Sequence, residues 1–149
     1  MKVETSRFGT LEITEEDLIV FPEGLLGFHR YKQFVLVQVA ETSPLLWLQS
    51  VRVPELAFVI ADPRLFRPDY QVQVKKEDLK TIELTEVEKA EVYVILNRVD
   101  GELTANLQGP LVINPDGRLG KQLVLSDKRF PVRYPLGISR TGQLKEKTA

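Results

Sequence analysis

The chain has no cysteine, one histidine, one tryptophan and one methionine in 149 residues. Without cysteine there is no disulfide, no thiolate zinc site and no cysteine nucleophile. The lone His29 cannot build a histidine-based metal cluster, and zinc would then need an unusual carboxylate set. Beside Arg30 and Tyr31, His29 reads as a loop-surface residue. No run of about 18 apolar residues occurs, so no membrane-spanning helix is expected. Met1-Lys-Val-Glu4 lacks the apolar core of a signal peptide, so the expectation is a cytoplasmic protein without membrane contact.

The familiar catalytic patterns are missing too. Ser6, Ser43, Ser50, Ser126 and Ser139 have no G-x-S-x-G context, and there is neither a P-loop nor a G-x-G-x-x-G. Gly117-Arg-Leu-Gly120 is too short to cradle phosphate and reads as a turn. Paired acids occur at Glu15-Glu16 and Glu77-Asp78, but in charged, solvated segments. Glycosidase-type chemistry needs acids facing each other across a cleft. A non-enzyme with no cofactor and no metal is the expectation.

What the chain does have is strand-forming sequence. Glu91-Val-Tyr-Val-Ile-Leu-Asn-Arg-Val99 is rich in β-branched and aromatic residues, which suit a pleated surface. Asp100-Gly101 follows, then Glu102-Leu-Thr-Ala-Asn-Leu107 alternates apolar and polar. Two such runs joined by Asp-Gly predict a hairpin, because a type I′ turn needs positive φ at both central residues. Leu111-Val-Ile113 and Leu123-Val-Leu125, with Asn114-Pro-Asp-Gly117 between them, extend this to a meander. Further strands are expected at residues 18–21, 34–39, 45–51, 56–60 and 70–74, after a short opening hairpin over residues 2–13. The fold class is all-β: a small antiparallel β-barrel-like or meander domain over residues 1–137, with one short helix near residues 76–84. Residues 138–149 read as a polar C-terminal tail.

Hydrophobic residues make up 43% and charged residues 28%, ordinary values for a globular domain. The net charge of −1 conceals an asymmetry, since residues 118–147 hold eight Lys/Arg against two Asp/Glu. An acidic body argues against direct nucleic-acid binding by the whole domain and suits a basic protein partner. The alternative is a small β-barrel RNA-binding protein, for which Arg129-Phe-Pro-Val-Arg-Tyr134 is the one basic-aromatic stripe. The remaining aromatics, such as Phe34, Trp47, Phe58 and Tyr93, sit in apolar runs and read as core.

Two loops stand out as apolar ridges. In Phe21-Pro-Glu-Gly-Leu-Leu-Gly-Phe28, one proline and two glycines fix the chain around Leu25, Leu26 and Phe28. Phe21 itself suits a plug for the barrel end. In Asn106-Leu-Gln-Gly-Pro110, Pro110 removes a ladder donor where a strand ends. Phe21, Pro22, Leu25, Leu26, Phe28, Asn106, Leu107 and Pro110 are therefore the candidate partner-binding residues. Glu15, Glu16, Asp17, Glu83, Glu86 and Glu88 are the candidate sources of an acidic field.

Val20-Phe-Pro-Glu-Gly-Leu-Leu-Gly-Phe28, Leu46-Trp-Leu-Gln-Ser50, Phe58-Val-Ile-Ala-Asp-Pro63 and Ala105-Asn-Leu-Gln-Gly-Pro-Leu-Val-Ile-Asn114 together resemble the FliW family of flagellar assembly factors. Lys121-Gln-Leu-Val-Leu125 and Tyr134-Pro-Leu136 add to the resemblance, which runs in order over residues 2–136. It implies a non-enzymatic bacterial protein with a small β-barrel-like fold, monomeric when free. It further implies two partners that exchange: cytoplasmic flagellin, and CsrA, a dimeric RNA-binding regulator that represses flagellin translation.

Overall fold

Alternating and β-branched runs bounded by Gly, Pro, Asn and Asp set most of the strands. The computed structural model describes residues 1–38 and 40–137. The expected tail at 138–149, and Val39 at the end of the expected strand 34–39, lie outside the described residues. In chain order the strands are β1 (Lys2–Thr5), β2 (Gly9–Glu12), β3 (Leu18–Val20), β4 (Gln33–Val37), β5 (Leu46–Ser50) and β6 (Ala57–Ala61). After the helix α1 (Lys76–Thr81) come β7 (Glu91–Val99), β8 (Glu102–Ala105), β9 (Leu111–Asn114), β10 (Leu119–Gln122) and β11 (Tyr134–Pro135).

β7 organises the sheet. One edge pairs with β6, while the other is divided between two strands. Its C-terminal half pairs with β8 (Leu96↔Ala105) and its N-terminal half with β9 (Tyr93↔Leu111). The order β7–β6–β5–β4–β3–β10–β9 then returns to β7 and closes a barrel. Every neighbouring pair in the ring is antiparallel except β10 and β3, which meet in parallel at Leu119↔Val20. Val20 N–H donates to the Arg118 carbonyl at 2.9 Å beside that contact.

Inside the barrel lie Ile19, Phe21, Leu25, Phe34, Leu48, Ile60, Leu111 and Ile113. Much of the outer wall is covered as well. The β1–β2 hairpin packs Val3 and Ile13 on Val35 of β4, and α1 sets Leu79 and Ile82 against Val112 of β9. Leu103, Phe130 and Leu136 pack over Ala61 and Val94. Burial on both faces explains why β7 reads as a nearly continuous apolar run.

Several sequence expectations change. The meander breaks after β8, because β8 pairs with β7 and β11 while β9 crosses to the other half of β7. The strand expected at residues 123–125 is not formed there; the strand of this segment is β10, which ends at Gln122. Asn114 Oδ1 accepts from the N–H groups of Asp116 and Gly117, both at 3.1 Å, and Arg118 completes the reversal at φ 57°. Pairing resumes at once, so Gly120 lies in a strand and not in a turn. Residues 70–74 alternate in burial as expected, Val72 and Val74 inward and Gln71 and Gln73 outward, but form no ladder. The helix ends at Thr81, with Ile82 as its C-cap.

Gly120 tests the closure. A Cβ there would stand 2.5 Å from the Phe21 ring. Gly120→Ala should cost about 1–3 kcal/mol, as overpacked cores do. Urea denaturation measures it, and an unchanged midpoint would mean that Phe21 is free to shift.

Candidate functional site

The loop after β3 is held by its own main chain. Phe21 N–H donates to the Lys32 carbonyl at 2.7 Å, Gly24 N–H to Phe21 at 2.8 Å, and Phe28 N–H to Leu25 at 2.8 Å. Gly24 adopts φ +68°, and a Cβ on it would lie 2.6 Å from the His29 Cα. Only glycine fits there. The fold divides the candidate residues. Phe21 and Leu25 are core, Leu25 at 1% exposure, while Leu26 is 49% exposed and Pro22 also faces outward. Phe28, 36% exposed, sets its ring edge-on to Phe58 at 5.2 Å. An Asp at Leu25 would therefore probe the fold, whereas one at Leu26 probes the surface.

The second loop divides in the same way. Leu107 and Pro110 are buried, and the Leu107 carbonyl accepts from the Tyr70 hydroxyl at 2.6 Å. Burial pushes the Tyr70 phenol well above its ordinary pKa. Asn106 is half-buried; its Oδ1 accepts from the N–H groups of Gln108 and Gly109, both at 3.1 Å.

Gln122, at the end of β10, joins the two loops. Its Oε1 accepts from Leu26 N–H at 2.8 Å and its Nε2 donates to the Gly109 carbonyl at 2.9 Å. Gly109 leaves room for this, since a Cβ would lie 2.8 Å from Asn106 Nδ2 and 2.9 Å from Gln122 Nε2. Next to it, Lys121 Nζ bridges Asp78 at 2.7 Å and Glu23 at 3.2 Å. The Asp78 hydrogen bond leads in raising the Lys121 pKa, against a smaller opposing effect of burial. Val124, 72% exposed, lies two residues beyond Gln122. Gln122 was not among the sequence candidates. The only signal for it was an amide standing in an apolar run, because both of its partners are distant in sequence.

All six candidate acids are exposed. Glu15, Glu16 and Asp17 form a 3₁₀ turn whose Asp17 carbonyl accepts from Arg118 Nη2 at 3.0 Å. Asn114 Nδ2 donates to the Ile82 carbonyl at 2.8 Å and lies 3.5 Å from that of Glu83. The β9–β10 turn is thus gripped from both sides, with residues 15–17 on one flank and Glu83 on the other. Glu86 pairs with Lys89 at 3.7 Å. Glu88 lines a cleft of about 510 Å³ with Asp62 and Glu91. In that cleft the Tyr93 hydroxyl donates to Glu91 at 2.8 Å, and burial leads in raising its pKa.

The basic-aromatic stripe does not form a platform for bases. Phe130 is buried against Tyr70 and Arg129 pairs with Asp127 at 2.8 Å. His29 is exposed, its Nδ1 3.3 Å from the Glu23 carbonyl. Among the described residues, no group of three or more His, Cys, Asp or Glu is placed to hold a metal, and no helix is long and apolar enough to cross a membrane. The loops thus display Leu26 and Phe28 on main chain held by its own hydrogen bonds.

Gln122→Ala should uncouple the loops. The Leu26 amide should exchange faster with solvent, and stability should fall by about 1 kcal/mol, the usual net value of a hydrogen bond. Hydrogen exchange reads this directly, and unchanged Leu26 protection would contradict the bridge.

Comparison with known proteins agrees with this architecture. The family model for FliW protein matches residues 2–136. The flagellar assembly factor FliW of Natranaerobius thermophilus is 39% identical over 139 residues, covering 91% of this chain and 92% of that protein. Its counterpart from Moorella thermoacetica is 40% identical over 139 residues, covering 91% and 88%. A crystal structure of the flagellar assembly factor FliW superposes with a TM-score of 0.83 at 37% identity, over 91% of this chain and 96% of that one.

Proposed function

From the premise that this chain belongs to the FliW family, we propose that it serves flagellum assembly by binding two proteins in turn, flagellin and the translational regulator CsrA. Free of flagellin, it takes up the regulator and lifts repression of flagellin synthesis; accumulated flagellin reclaims it. Synthesis then follows export through two binding equilibria that share one limiting pool.

The observation that carries this reading is the joining of the two loops by Gln122, which presents Leu26, Phe28 and Asn106 from one braced surface. An apolar patch braced in this way suits the apolar stripe of a helical flagellin terminus. Leu26 and Phe28 supply the apolar contact, and Pro22 and Asn106 frame it. Phe21, Leu25, Leu107 and Pro110 act from beneath, by holding the loops in shape. The acidic groups at Glu15, Glu16, Asp17, Glu83, Glu86 and Glu88 serve the second partner. A regulator that binds RNA carries a basic surface, and carboxylates set beside it attract the protein and repel phosphate.

Leu26→Asp should reduce flagellin binding at least tenfold, the effect of placing a charge in an apolar contact. Circular dichroism should be unchanged, because Leu26 lies outside the core. Calorimetry with purified flagellin measures the affinity, and retained binding would remove the loop from the interface. Converting the six acids to Gln or Asn should leave the complex with the regulator detectable while its ability to displace RNA fades. A gel-shift competition decides it; undiminished displacement would discard the field mechanism.

A further inference from the structure

Among the described residues, the chain's own elements cover most of the barrel's outer wall and leave one sector, between the β1–β2 hairpin and β8, uncovered. There Leu45, Trp47 and Val59 stand half-exposed above buried Leu96 and Leu103, around a groove of about 530 Å³. Among the described residues its only charged lining residues are Arg7 and Arg98, on a body that is otherwise acidic in sequence. Arg7 projects from the β1–β2 turn with its guanidinium 4.7 Å from the centre of the Trp47 ring, and Phe8 meets that ring edge-on at 5.9 Å. Neither arginine is ion-paired with a carboxylate among the described residues. Each donates only to a main-chain carbonyl, Arg7 to Glu55 and Arg98 to Gly101, both at 3.4 Å.

The strands under the groove decide what can occupy it. β5 pairs with β4 and β6, β6 with β5 and β7, and β8 with β7 and β11. Beyond Val59↔Leu96 the facing edges of β6 and β7 carry no ladder at residues 57–58 and 97–99, a stretch of two to three residues too short to seat an added strand, so a partner must satisfy its own main chain. A helix does so. The aliphatic floor calls for leucine-like side chains, and the two arginines call for carboxylates on the flanks. Nucleic acid fits less well, because Arg7 and Phe8 already engage the Trp47 ring and the remaining floor is aliphatic.

We propose that this groove is a second docking surface, which takes an amphipathic helix of a protein partner with an apolar stripe flanked by Glu or Asp. It shares no residue with the Leu26–Phe28–Asn106 surface, which it adjoins through the Phe28–Phe58 ring contact at 5.2 Å.

Trp47 is the only tryptophan of the chain and lies in the groove, so its emission reports occupancy. The full-length protein is titrated with a synthetic leucine-striped helical peptide flanked by glutamates, and with the same peptide carrying lysines instead. The glutamate peptide should move Trp47 emission to the blue, with an affinity that falls as salt rises. The Arg7→Glu/Arg98→Glu variant, altered only at exposed positions, should bind it roughly tenfold more weakly, as the loss of two exposed ion pairs allows, and should gain affinity for the lysine peptide. Leu26→Asp should leave both titrations unchanged, which separates this surface from the flagellin reading. The proposal is overturned if both peptides bind the wild type alike or neither moves the emission. It is equally overturned if a single-stranded RNA shifts Trp47 where the glutamate peptide does not, or if emission changes with protein concentration alone.

Discussion

The barrel is closed by one short parallel contact, and that contact depends on an aromatic ring packed closely against a glycine. Leu119 meets Val20 in register, and the next residue of each strand, Gly120 and Phe21, brings ring and backbone together. Removing strand edges in this way requires the last strand to reach the first, and any side chain at Gly120 would hold them apart. Phe21 is also the first residue of the loop that follows. Its main chain is tied to Lys32, and it starts the run of bonds that carries Leu25 back into the core. The positions of Leu26 and Phe28 outside are thus a consequence of barrel closure. The same packing that stabilises the domain sets its displayed surface.

This coupling explains which parts of the chain were legible. β7 and the Asp100-Gly101 turn were readable because both signals are local: β-branched residues along the strand, and positive φ at the two turn residues. The partners of β7 were not readable. A nine-residue strand whose edge is shared by β8 and β9 leaves no local mark, and register depends on contacts distant in sequence. Loops lack a period, so Leu25 and Leu107 looked like displayed residues and are core, whereas Leu26 beside Leu25 is exposed. Residues 70–74 show the reverse case. Their alternation was real, but it recorded packing of Val72 and Val74 onto covered faces and said nothing about strand pairing. Gln122 was the least visible. Its role exists only once residues 26, 109 and 122 are neighbours.

The charge asymmetry also changes meaning in three dimensions. Several of the basic residues after residue 117 are engaged within the domain: Arg118 with the carbonyls of Asp17 and Leu18, Lys121 with Asp78 and Glu23, Arg129 with Asp127. The exposed Arg129–Asp127 pair contributes little stability by itself, whereas the Lys121–Asp78 pair is shielded from solvent and screened less. Their larger effect is geometric. Lys121 ties α1 to the loop after β3, and Arg118 holds the turn between the two acidic flanks. Glu15, Glu16 and Glu83, in contrast, have no ion-pair partner among the described residues, so the acidic character of that end is left less offset than the sequence total suggests.

Under the proposed function, a surface braced by buried anchors on both loops and by a shared glutamine loses little conformational freedom on binding a partner, so more of the contact energy appears as affinity. The same bracing limits how signals can pass between surfaces. A closed barrel has few soft modes, and among the described residues no two-state element stands out between the loop surface and the acidic end. Under the proposed exchange of partners, competition therefore operates through occupancy, by overlap or by charge repulsion between bound molecules, and not through a change of shape in this protein. Regulation is then set by the relative amounts of the two partners and the fixed affinities of the scaffold, which is the behaviour that a gauge of unexported subunits requires.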